Sequence, residues 1–425
     1  MWVKGCALAE AALRLVPRPA HLAHIAVHPR QHPTELSYVN GFFYGLGVGM
    51  LMVLIPLYVI SLAFDLAALG LVVSAAGVFL VLLRLAGGAV SDRFGERVVL
   101  GFSFVALVVC ALIFVVSSTL LPLIVGQLIN GASRSVYWSA GQSYTSRSAE
   151  GHAGLTMGRL LSAESGGTIL GSVLAGSLAQ LAGFDVAFMA AAAANGAGIV
   201  ATVAMPPLPR VGQVRSIRST LAPARRMMVQ RSLRLGHFTA LMAAAYAALL
   251  GSLYLAFFKE AGYGDAVVGL LRSVGGIGVV VVAYPFGAIL ARLGAQRVAV
   301  AGFAITGAVT ALTALVGSSL AAAVLLMALG GMAFGGMRAL YPAIAAENSP
   351  ERERALSLAV VGLYWAAGML VVPYVFGLLG DGVGIRGAMY AFGAVSIGAA
   401  VATPVVAYLW RTRAETAPRP GSPPG

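Results

Sequence analysis

Long apolar runs separated by short polar breaks make up most of the chain. A helix crosses the core of a bilayer with about 20 apolar residues. Read between the breaks, the runs predict spans near 37–62, 67–90, 98–118, 121–146, 156–182, 185–205, 236–260, 266–290, 298–316, 320–345, 355–379 and 386–410. Strands of a membrane barrel would instead alternate apolar and polar residues. The pattern therefore predicts an all-α membrane protein with 12 transmembrane helices.

One long polar stretch, from Pro206 to Leu235, divides the spans into two sets of six. We therefore predict two six-helix bundles joined by a basic linker. The predicted boundaries are a cytoplasmic N-terminal tail at 1–35, a first bundle at 36–205, the linker at 206–235, a second bundle at 236–410 and a cytoplasmic tail at 411–425.

Composition agrees with a membrane protein, and charge gives its orientation. Hydrophobic residues make up 59% of the chain and charged residues 10%, whereas soluble domains carry about 25% charged residues. The net charge of +13 could indicate nucleic-acid binding. However, most basic residues fall on one side of the predicted membrane, and such residues stay in the cytoplasm. We expect a multi-pass protein of the cytoplasmic membrane with both termini inside and no nucleic-acid partner.

Few residues support metal binding or catalysis. The first 35 residues carry four histidines, at His21, His24, His28 and His32. Pro29 and Pro33 break any helix that would align them, so a solvated tail is favoured over a metal site. Cys6 and Cys110 are expected to be thiols. The spans hold no cluster of histidines or carboxylates and the chain has no Walker loop, so we predict no enzyme, metal, cofactor or ATP hydrolysis.

Short motifs of the first set of spans recur in the second. Gly70 to Ser74 matches Gly269 to Ser273, 199 positions later, and Gly131 to Arg134 with Tyr137 matches Gly335 to Arg338 with Tyr341, 204 positions later. Two glycines also recur, 201 positions apart, as the pairs Gly167 with Gly368 and Gly176 with Gly377. Six spans return the chain to its starting side. The two bundles are therefore expected to be related by a pseudo-two-fold axis along the membrane normal.

The loop after span 2 carries the strongest single motif, Gly88-Ala89-Val90-Ser91-Asp92-Arg93-Phe94-Gly95-Glu96-Arg97. Glycines permit close helix packing and a tight turn there, while the charged residues can contact helix ends in one state and release them in another. The loop resembles the signature loop of the major facilitator superfamily. In the second half Ala291 replaces the acidic residue.

The resemblance implies alternating access, in which two bundles rock around a central cavity. Spans 1, 4, 7 and 10 would line the cavity, and spans 2, 5, 8 and 11 would form the moving interface. The gating residues would be Gly88, Asp92, Arg93, Gly95 and Arg97. The interface glycines would be Gly167, Gly171, Gly176, Gly368 and Gly377.

Marks of family subgroups favour an efflux carrier for an amphipathic small molecule. Gly167, Gly171 and Gly176 resemble the spacing of the drug-antiporter motif in span 5, although Ser172 stands where that motif has proline. Leu54 to Tyr58 in span 1 also resembles efflux carriers.

Charged residues inside the membrane are costly and indicate function by default. Arg134 and Glu164 are expected at similar depths on spans 4 and 5. Two interpretations stay open: Glu164 is a protonatable coupling group, or the two residues form a permanent salt bridge. Arg338 either attracts an anionic substrate or reaches toward the cytoplasm. Arg84 is expected in the gate region, and Arg272 near the solvated outer end of span 8.

The predicted substrate cavity is lined by Arg338 and by four tyrosines, Tyr44, Tyr137, Tyr246 and Tyr341. The leading hypothesis is proton-coupled efflux of an amphipathic compound. An alternative is uptake or exchange of an organic anion that uses Arg134 and Arg338, and a second is a non-transporting receptor or assembly factor with the same fold. The expected partners are a small-molecule substrate, protons and the lipid bilayer, and the functional unit is expected to be a monomer.

Overall fold

The computed structural model describes residues 32–84, 87–148, 153–209, 217–350 and 353–416, and these are helical apart from short connections. Most of the predicted N-terminal tail, including Cys6, His21, His24 and His28, lies outside the described residues. The first half contains α1 (Pro33–Ser61), α2 (Leu66–Leu82), α3 (Gly87–Phe94), α4 (Glu96–Val116), α5 (Leu120–Ser148) and α6 (Ala153–Ala204). A linker helix, α7 (Ile217–Val229), follows. The second half contains α8 (Arg234–Leu250), α9 (Leu253–Glu260), α10 (Asp265–Ala283), α11 (Phe286–Leu293), α12 (Ala295–Val316), α13 (Leu320–Glu347) and α14 (Arg354–Thr416).

Twelve membrane spans can be traced through these described helices. Spans 1 to 4 are α1, α2, α4 and α5, and spans 7 to 10 are α8 with α9, α10, α12 and α13. The helix α6 contains spans 5 and 6, because Gly183 has a non-helical φ of 86° and ψ of 168°. Gly384 divides α14 into spans 11 and 12 in the same way. The predicted all-α architecture of 12 spans in two six-helix bundles is confirmed.

Eight described helices are long and apolar enough to cross a membrane, two of them being the double spans. The helix of span 2 is 17 residues long, shorter than a span usually is. In span 4, Gln127, Asn130 and Arg134 interrupt the apolar sequence. This polarity places hydrogen-bonding and charged groups inside the first bundle.

Positive backbone φ angles repeat between the halves. The pairs are Ala63 with Gly262, Gly95 with Gly294, and Gly183 with Gly384, at offsets of 199, 199 and 201 positions. Such angles favour glycine because a side chain crowds the backbone there. The same three turns are therefore built twice, which extends the repeat seen in the sequence to the backbone.

Several spans differ from their predicted extents. The second helix ends at Leu82 instead of continuing to 90, and the motif loop forms the separate helix α3. Span 8 ends at Ala283, and Pro285 is the N-cap residue of a new helix, α11. Span 7 is broken between Leu250 and Leu253, where Ser252 has a non-helical φ of −140° and ψ of −87°. Apolar runs continued through these breaks, so hydropathy alone did not locate them.

The bundles contact each other along two pairs of helices. Span 2 packs on span 11, and span 5 packs on span 8. We call the end of the molecule that carries the linker the linker end, and the opposite end the far end. Outer helices expose apolar side chains at helical spacing, as α4 does with Phe102, Val105, Val109 and Leu112. Such a stripe suits lipid contact.

The linker is attached to both bundles. At the end of span 6, the main-chain carbonyl groups of Val203, Pro206 and Pro209 accept hydrogen bonds from Arg97, Tyr144 and Arg147 of the first bundle. On the other side, the linker helix α7 packs its Ala224 and Met227 against Val360 of span 11. Arg226 of α7 also forms an ion pair with Glu353, at 3.0 Å.

Candidate functional site

A cavity of about 220 Å³ lies between the two bundles. Its walls come from spans 1, 2, 4 and 5 of the first bundle and from their repeat mates, spans 7, 8, 10 and 11. No lining residue belongs to described parts of spans 3, 6, 9 or 12. The cavity is therefore shared equally by the two halves, which is where a transporter built from repeats binds its substrate.

Four arginines line this cavity: Arg84, Arg134, Arg272 and Arg338. Among the lining residues, Glu164 is the one carboxylate. None of the four arginines belongs to an ion pair within the described parts of the chain. Because a charge removed from water needs a counter-charge, the cavity has an excess of positive charge that the lining itself does not neutralise.

The arginines approach from both bundles. Arg84 lies near the linker end of span 2, and its guanidinium group packs so closely on Gly362 of span 11 that a Cβ atom at position 362 would overlap it. Arg134 comes from span 4 of the first bundle. Arg272 and Arg338 come from spans 8 and 10 of the second bundle. An anion in the cavity would therefore meet guanidinium groups of both bundles.

Glu164 forms no ion pair with Arg134, the partner that its sequence position suggested. Arg134 and Glu164, both described, line the same cavity, but no ion pair joins them. No ion pair joins the carboxylate to Arg338 of the other bundle either, although the two charges face the same cavity and attract each other across it. Depth along neighbouring helices predicted proximity to Arg134 but did not include the second bundle across the cavity.

The tyrosine candidates divide into two groups. Tyr44 and Tyr341 line the cavity together with Arg338. Tyr137 and Tyr246 do not line it, so their assignment to the substrate cavity was wrong. Helix phase explains the difference, because the next residues along their helices, Trp138 and Ala247, are the ones that reach the cavity.

Tyr137 and Tyr246, which do not line the cavity, lie in the interiors of their bundles. The Tyr137 hydroxyl donates a hydrogen bond of 3.0 Å to Oδ1 of Asn40, and its ring stacks on Tyr44. The ring of Tyr246 meets Tyr254 edge to face at 6.0 Å. Tyr137 thus fixes the orientation of a cavity residue, Tyr44, without lining the cavity.

The predicted interface glycines serve two kinds of contact. A Cβ atom at Gly176 or Gly377 would overlap the main-chain carbonyl oxygen of Asp265 or Leu66, respectively, in the other bundle. Three others lie at contacts inside one bundle: Gly167 and Gly171 face span 1, and Gly368 faces span 7. For these three, a place between the bundles was the wrong expectation, because their helix faces point toward their own bundle.

The motif loop lies at the linker end of span 2. Gly88 and Asp92 belong to α3, although their surroundings lie outside what the structure describes. Arg93 is exposed, with its guanidinium carbon 5.5 Å from the ring centre of Phe94. Gly95 has a φ of 87°, which requires glycine at this turn. Arg97 binds the carbonyl group of Val203 within its own bundle, and that contact is not one between bundles.

At the far end, two side chains cap helices of the opposite bundle. Both carboxylate oxygens of Asp381, at the end of span 11, accept hydrogen bonds of 2.9 Å, from the main-chain N–H groups of Leu66 and Ala67 at the start of span 2. Gln180, at the end of span 5, accepts one of 2.9 Å from Ala266 at the start of span 8. Unpaired N–H groups at helix starts are favourable partners for such acceptors.

Sequence reasoning did not identify Arg272 and Arg84 as cavity residues or the two far-end caps. Arg272 lies seven residues into α10, about 10 Å along the helix, so it is deep enough to be a membrane charge. That depth was the available signal. Asp381 and Gln180 are 201 positions apart, the offset of the glycine pairs, which could have marked them as equivalent.

Comparison with known proteins gives one family and a set of similar folds. The sequence profile described as Major Facilitator Superfamily matches residues 38–264 and 235–424. No curated protein sequence matches the chain. Solved structures with a similar fold include the nucleoside transporter NupG, with a TM-score of 0.74 and 16% identity over 88% of this chain and 98% of that chain. Another is a POT family transporter in complex with 5-aminolevulinic acid, with a TM-score of 0.73 and 11% identity over 88% of this chain and 95% of that one.

Proposed function

Because the chain belongs to the Major Facilitator Superfamily and is a transporter with two bundles around a central cavity, we propose that its cargo is a small organic anion. Cargo would bind in the shared cavity and be released on the other side after the bundles rock. One solved structure with a similar fold, NupG, is a nucleoside transporter. The distribution of basic residues supports a cytoplasmic linker end.

A single observation carries this proposal, namely the charge of the cavity. Four arginines and one glutamate line it. An organic anion supplies the counter-charge that the lining lacks, whereas a cationic compound would be repelled. This is the alternative that Arg134 and Arg338 suggested from the sequence, now supported by Arg84 and Arg272 as well.

Glu164 supports coupling to protons. Its carboxylate is attracted to Arg338 across the cavity, and Arg134 and Tyr44 also line the same space. Protonation of Glu164 removes one negative charge from the cavity and strengthens its attraction for an anion. Because linkage is reciprocal, a bound anion also favours the protonated carboxyl group. The proton and the anion would then move in the same direction.

Uptake into proteoliposomes tests the anionic cargo. Labelled benzoate and phthalate would be compared with the cation benzyltrimethylammonium under an imposed pH gradient. We expect uptake of at least one anion well above that of protein-free liposomes and no uptake of the cation. Uptake of the cation alone would overturn the proposal. Absence of uptake for both anions would also count against the proposed anionic cargo.

The Glu164→Gln variant tests the coupling. It should lose accumulation driven by a pH gradient but keep exchange of anion for anion, because the neutral amide imitates the protonated state. Glu260→Gln is the matched control, since Glu260 is exposed and does not line the cavity. Accumulation by Glu164→Gln at the rate of the control would show that another group carries the proton.

Proton-coupled efflux of an amphipathic compound is a second candidate. Trp138, Phe334, Tyr341 and Trp365 give the cavity an aromatic wall that suits such a cargo. The rings of Phe334 and Trp365 lie 6.0 Å apart. Efflux of a hydrophobic anion would satisfy both the aromatic wall and the charge. Accumulation of the compound in inside-out vesicles against a concentration gradient, or its absence, would distinguish efflux from uptake.

A further inference from the structure

Three of the cavity arginines lie close enough to repel one another. Arg272 is repelled electrostatically by Arg134 and by Arg338, and Arg134 is repelled by Arg338. Arg134 belongs to the first bundle, and the other two belong to the second. Repulsion between like charges is strong in a medium of low dielectric constant. In the absence of cargo, this cluster of Arg134, Arg272 and Arg338 opposes the approach of the two bundles.

The protein supplies one negative charge against these three positive charges. Glu164 is attracted to Arg338 and is the one carboxylate of the cavity lining. No described aspartate or glutamate forms an ion pair with any member of the cluster. Full ionisation of Glu164 leaves two positive charges to be neutralised, and protonation of Glu164 leaves three. A cargo with a single negative charge leaves the cluster with an excess in either state.

We propose that the cargo is an organic dianion, a phosphate monoester or a dicarboxylate, whose charged end bridges Arg134 to Arg272 and Arg338. This inference rests on the proposed anionic cargo and specifies its charge. Guanidinium groups bind phosphate and carboxylate oxygens through paired hydrogen bonds, which favours arginine over lysine at such a site. A dianion that contacts both bundles cancels the repulsion between them and therefore stabilises the state in which they close around it.

The cavity also indicates what the rest of the cargo is like. Phe334, Tyr341 and Trp365 lie on the second bundle, with ring centres of Tyr341 and Trp365 5.9 Å apart. Trp138 faces the same cavity from the first bundle. Aromatic rings stack well on flat or apolar groups. A dianion with a ring or a short apolar body fits this lining better than a bare inorganic ion.

Matched probes with the same ring and different charge test the inference. Phenyl phosphate carries two negative charges at pH 8, and benzenesulfonate carries one on a head group of similar shape. Phthalate supplies two carboxylates in place of the phosphate. We would measure binding of each probe to the purified full-length transporter by isothermal titration. We expect one or both dianions to bind at least about tenfold more tightly than benzenesulfonate, and their relative affinity tells a phosphate site from a dicarboxylate site.

Substitutions of the three arginines test whether the cluster causes the preference for dianions over benzenesulfonate. Arg134→Gln, Arg272→Gln and Arg338→Gln should each weaken dianion binding by about tenfold or more and benzenesulfonate binding by clearly less. Arg159→Gln is the matched control, because Arg159 is exposed and does not line the cavity. Thermal unfolding of each variant separates loss of binding from loss of folding. A lysine at each position checks the geometry, since it restores charge without the paired hydrogen bonds.

Three outcomes would count against the inference. Equal affinity for benzenesulfonate and both dianions would overturn the inference that the cargo is a dianion. The proposal of an anionic cargo would stand. An equal loss of affinity for all probes in the three arginine variants would show that the cluster does not distinguish two negative charges from one. Binding of benzyltrimethylammonium alone would overturn both the inference and the proposed anionic cargo.

Discussion

The two interfaces between the bundles occupy equivalent places but differ in chemistry. At the far end, the start of span 2 is capped by a carboxylate, Asp381, through two hydrogen bonds. The start of span 8 is capped by a neutral amide, Gln180, through one. A negative charge at a helix start gains from the helix dipole in addition to the hydrogen bonds. The repeat therefore preserves where the bundles meet, whereas the strength of the contact differs between the two interfaces.

A pair of equivalent serines, nearer the middle of the membrane, also differs between the two interfaces. Ser273 of span 8 donates a hydrogen bond of 2.9 Å to the carbonyl oxygen of Ile169 on span 5. Its repeat mate, Ser74 of span 2, accepts one of 3.1 Å from the N–H group of Tyr374 on span 11. The serines keep their positions and exchange the roles of donor and acceptor. Shared geometry at the two interfaces thus does not require shared bonding.

Substitution of Gly176 and Gly377, the two glycines that contact the opposite bundle, should have the largest effect on contact between the bundles. Gly176→Ala and Gly377→Ala would place a methyl group against a main-chain carbonyl oxygen of the other bundle, and main chain cannot move aside cheaply. Overpacking of this kind costs about 1–3 kcal/mol. We expect the closed far end to lose population in both variants. Distances between spin labels at Ser118 and Ser319, both exposed and on opposite bundles, would report the opening.

Two other glycines are controls for that experiment. Gly166 lies on the same helix as Gly176, and Gly382 lies near Gly377; a Cβ atom at either would have no neighbour within 4 Å. Gly166→Ala and Gly382→Ala should leave the distance distribution unchanged. If the interface variants behave like these controls, the close packing at the far end does not hold the bundles together.

Removal of the capping side chains Asp381 and Gln180 should have a smaller effect on the far end, and the effect should differ between the two residues. Loss of a capping acceptor costs about 1 kcal/mol. We expect Asp381→Ala to open the far end by about that amount and Gln180→Ala by about half of it, with Asp381→Asn between them. Because Asp381 is charged and exposed, high salt should reduce its effect and leave that of Gln180 unchanged. The same spin-label distances, measured at low and high salt, check both expectations. Equal and salt-independent effects would remove the contrast between the interfaces.

The turns that lead into the two capped helices should affect the opening of the far end least, because each turn joins two spans of the same bundle and changes the stability of that bundle instead. Ala63 has a φ of 58° where its repeat mate Gly262 has 88°. An alanine in this left-handed region costs about 1–2 kcal/mol relative to glycine. Gly262→Ala should therefore lower the thermal unfolding temperature in detergent. Ala63→Gly should change it little, because relief of strain is offset by the greater freedom of glycine in the unfolded chain. A large stabilisation by Ala63→Gly would contradict this balance.

The architecture could be predicted from the sequence because each level of it leaves a local pattern. Apolar runs mark the spans, and constant offsets between glycines and motifs mark the repeat. Both the 12-span fold and the predicted membership of the superfamily are confirmed. Breaks inside apolar runs, such as the one before Leu253 in span 7, leave little trace in hydropathy because residues on both sides stay apolar.

The cavity could be predicted only in part, since lining it depends on the rotation of each helix about its axis. In an α-helix, neighbouring residues point about 100° apart, so Tyr137 and Trp138 face different surroundings. Interaction partners across the cavity are still harder to predict, because no local sequence pattern links residues of two bundles. For this reason the sequence paired Glu164 with Arg134 of its own bundle and gave no sign of the electrostatic attraction between Glu164 and Arg338 across the cavity.

The double attachment of the linker limits how far the transporter can move. One end is fastened to the first bundle through Pro209, and the other begins at Ile217 in the helix that packs on the second bundle. Eight peptide units join these two residues, and a fully extended chain of that length reaches about 28 Å. Separation of the two anchors beyond this distance would tear one of them loose. The linker is thus a tether that sets an upper bound on rocking at its end of the molecule, whatever the cargo.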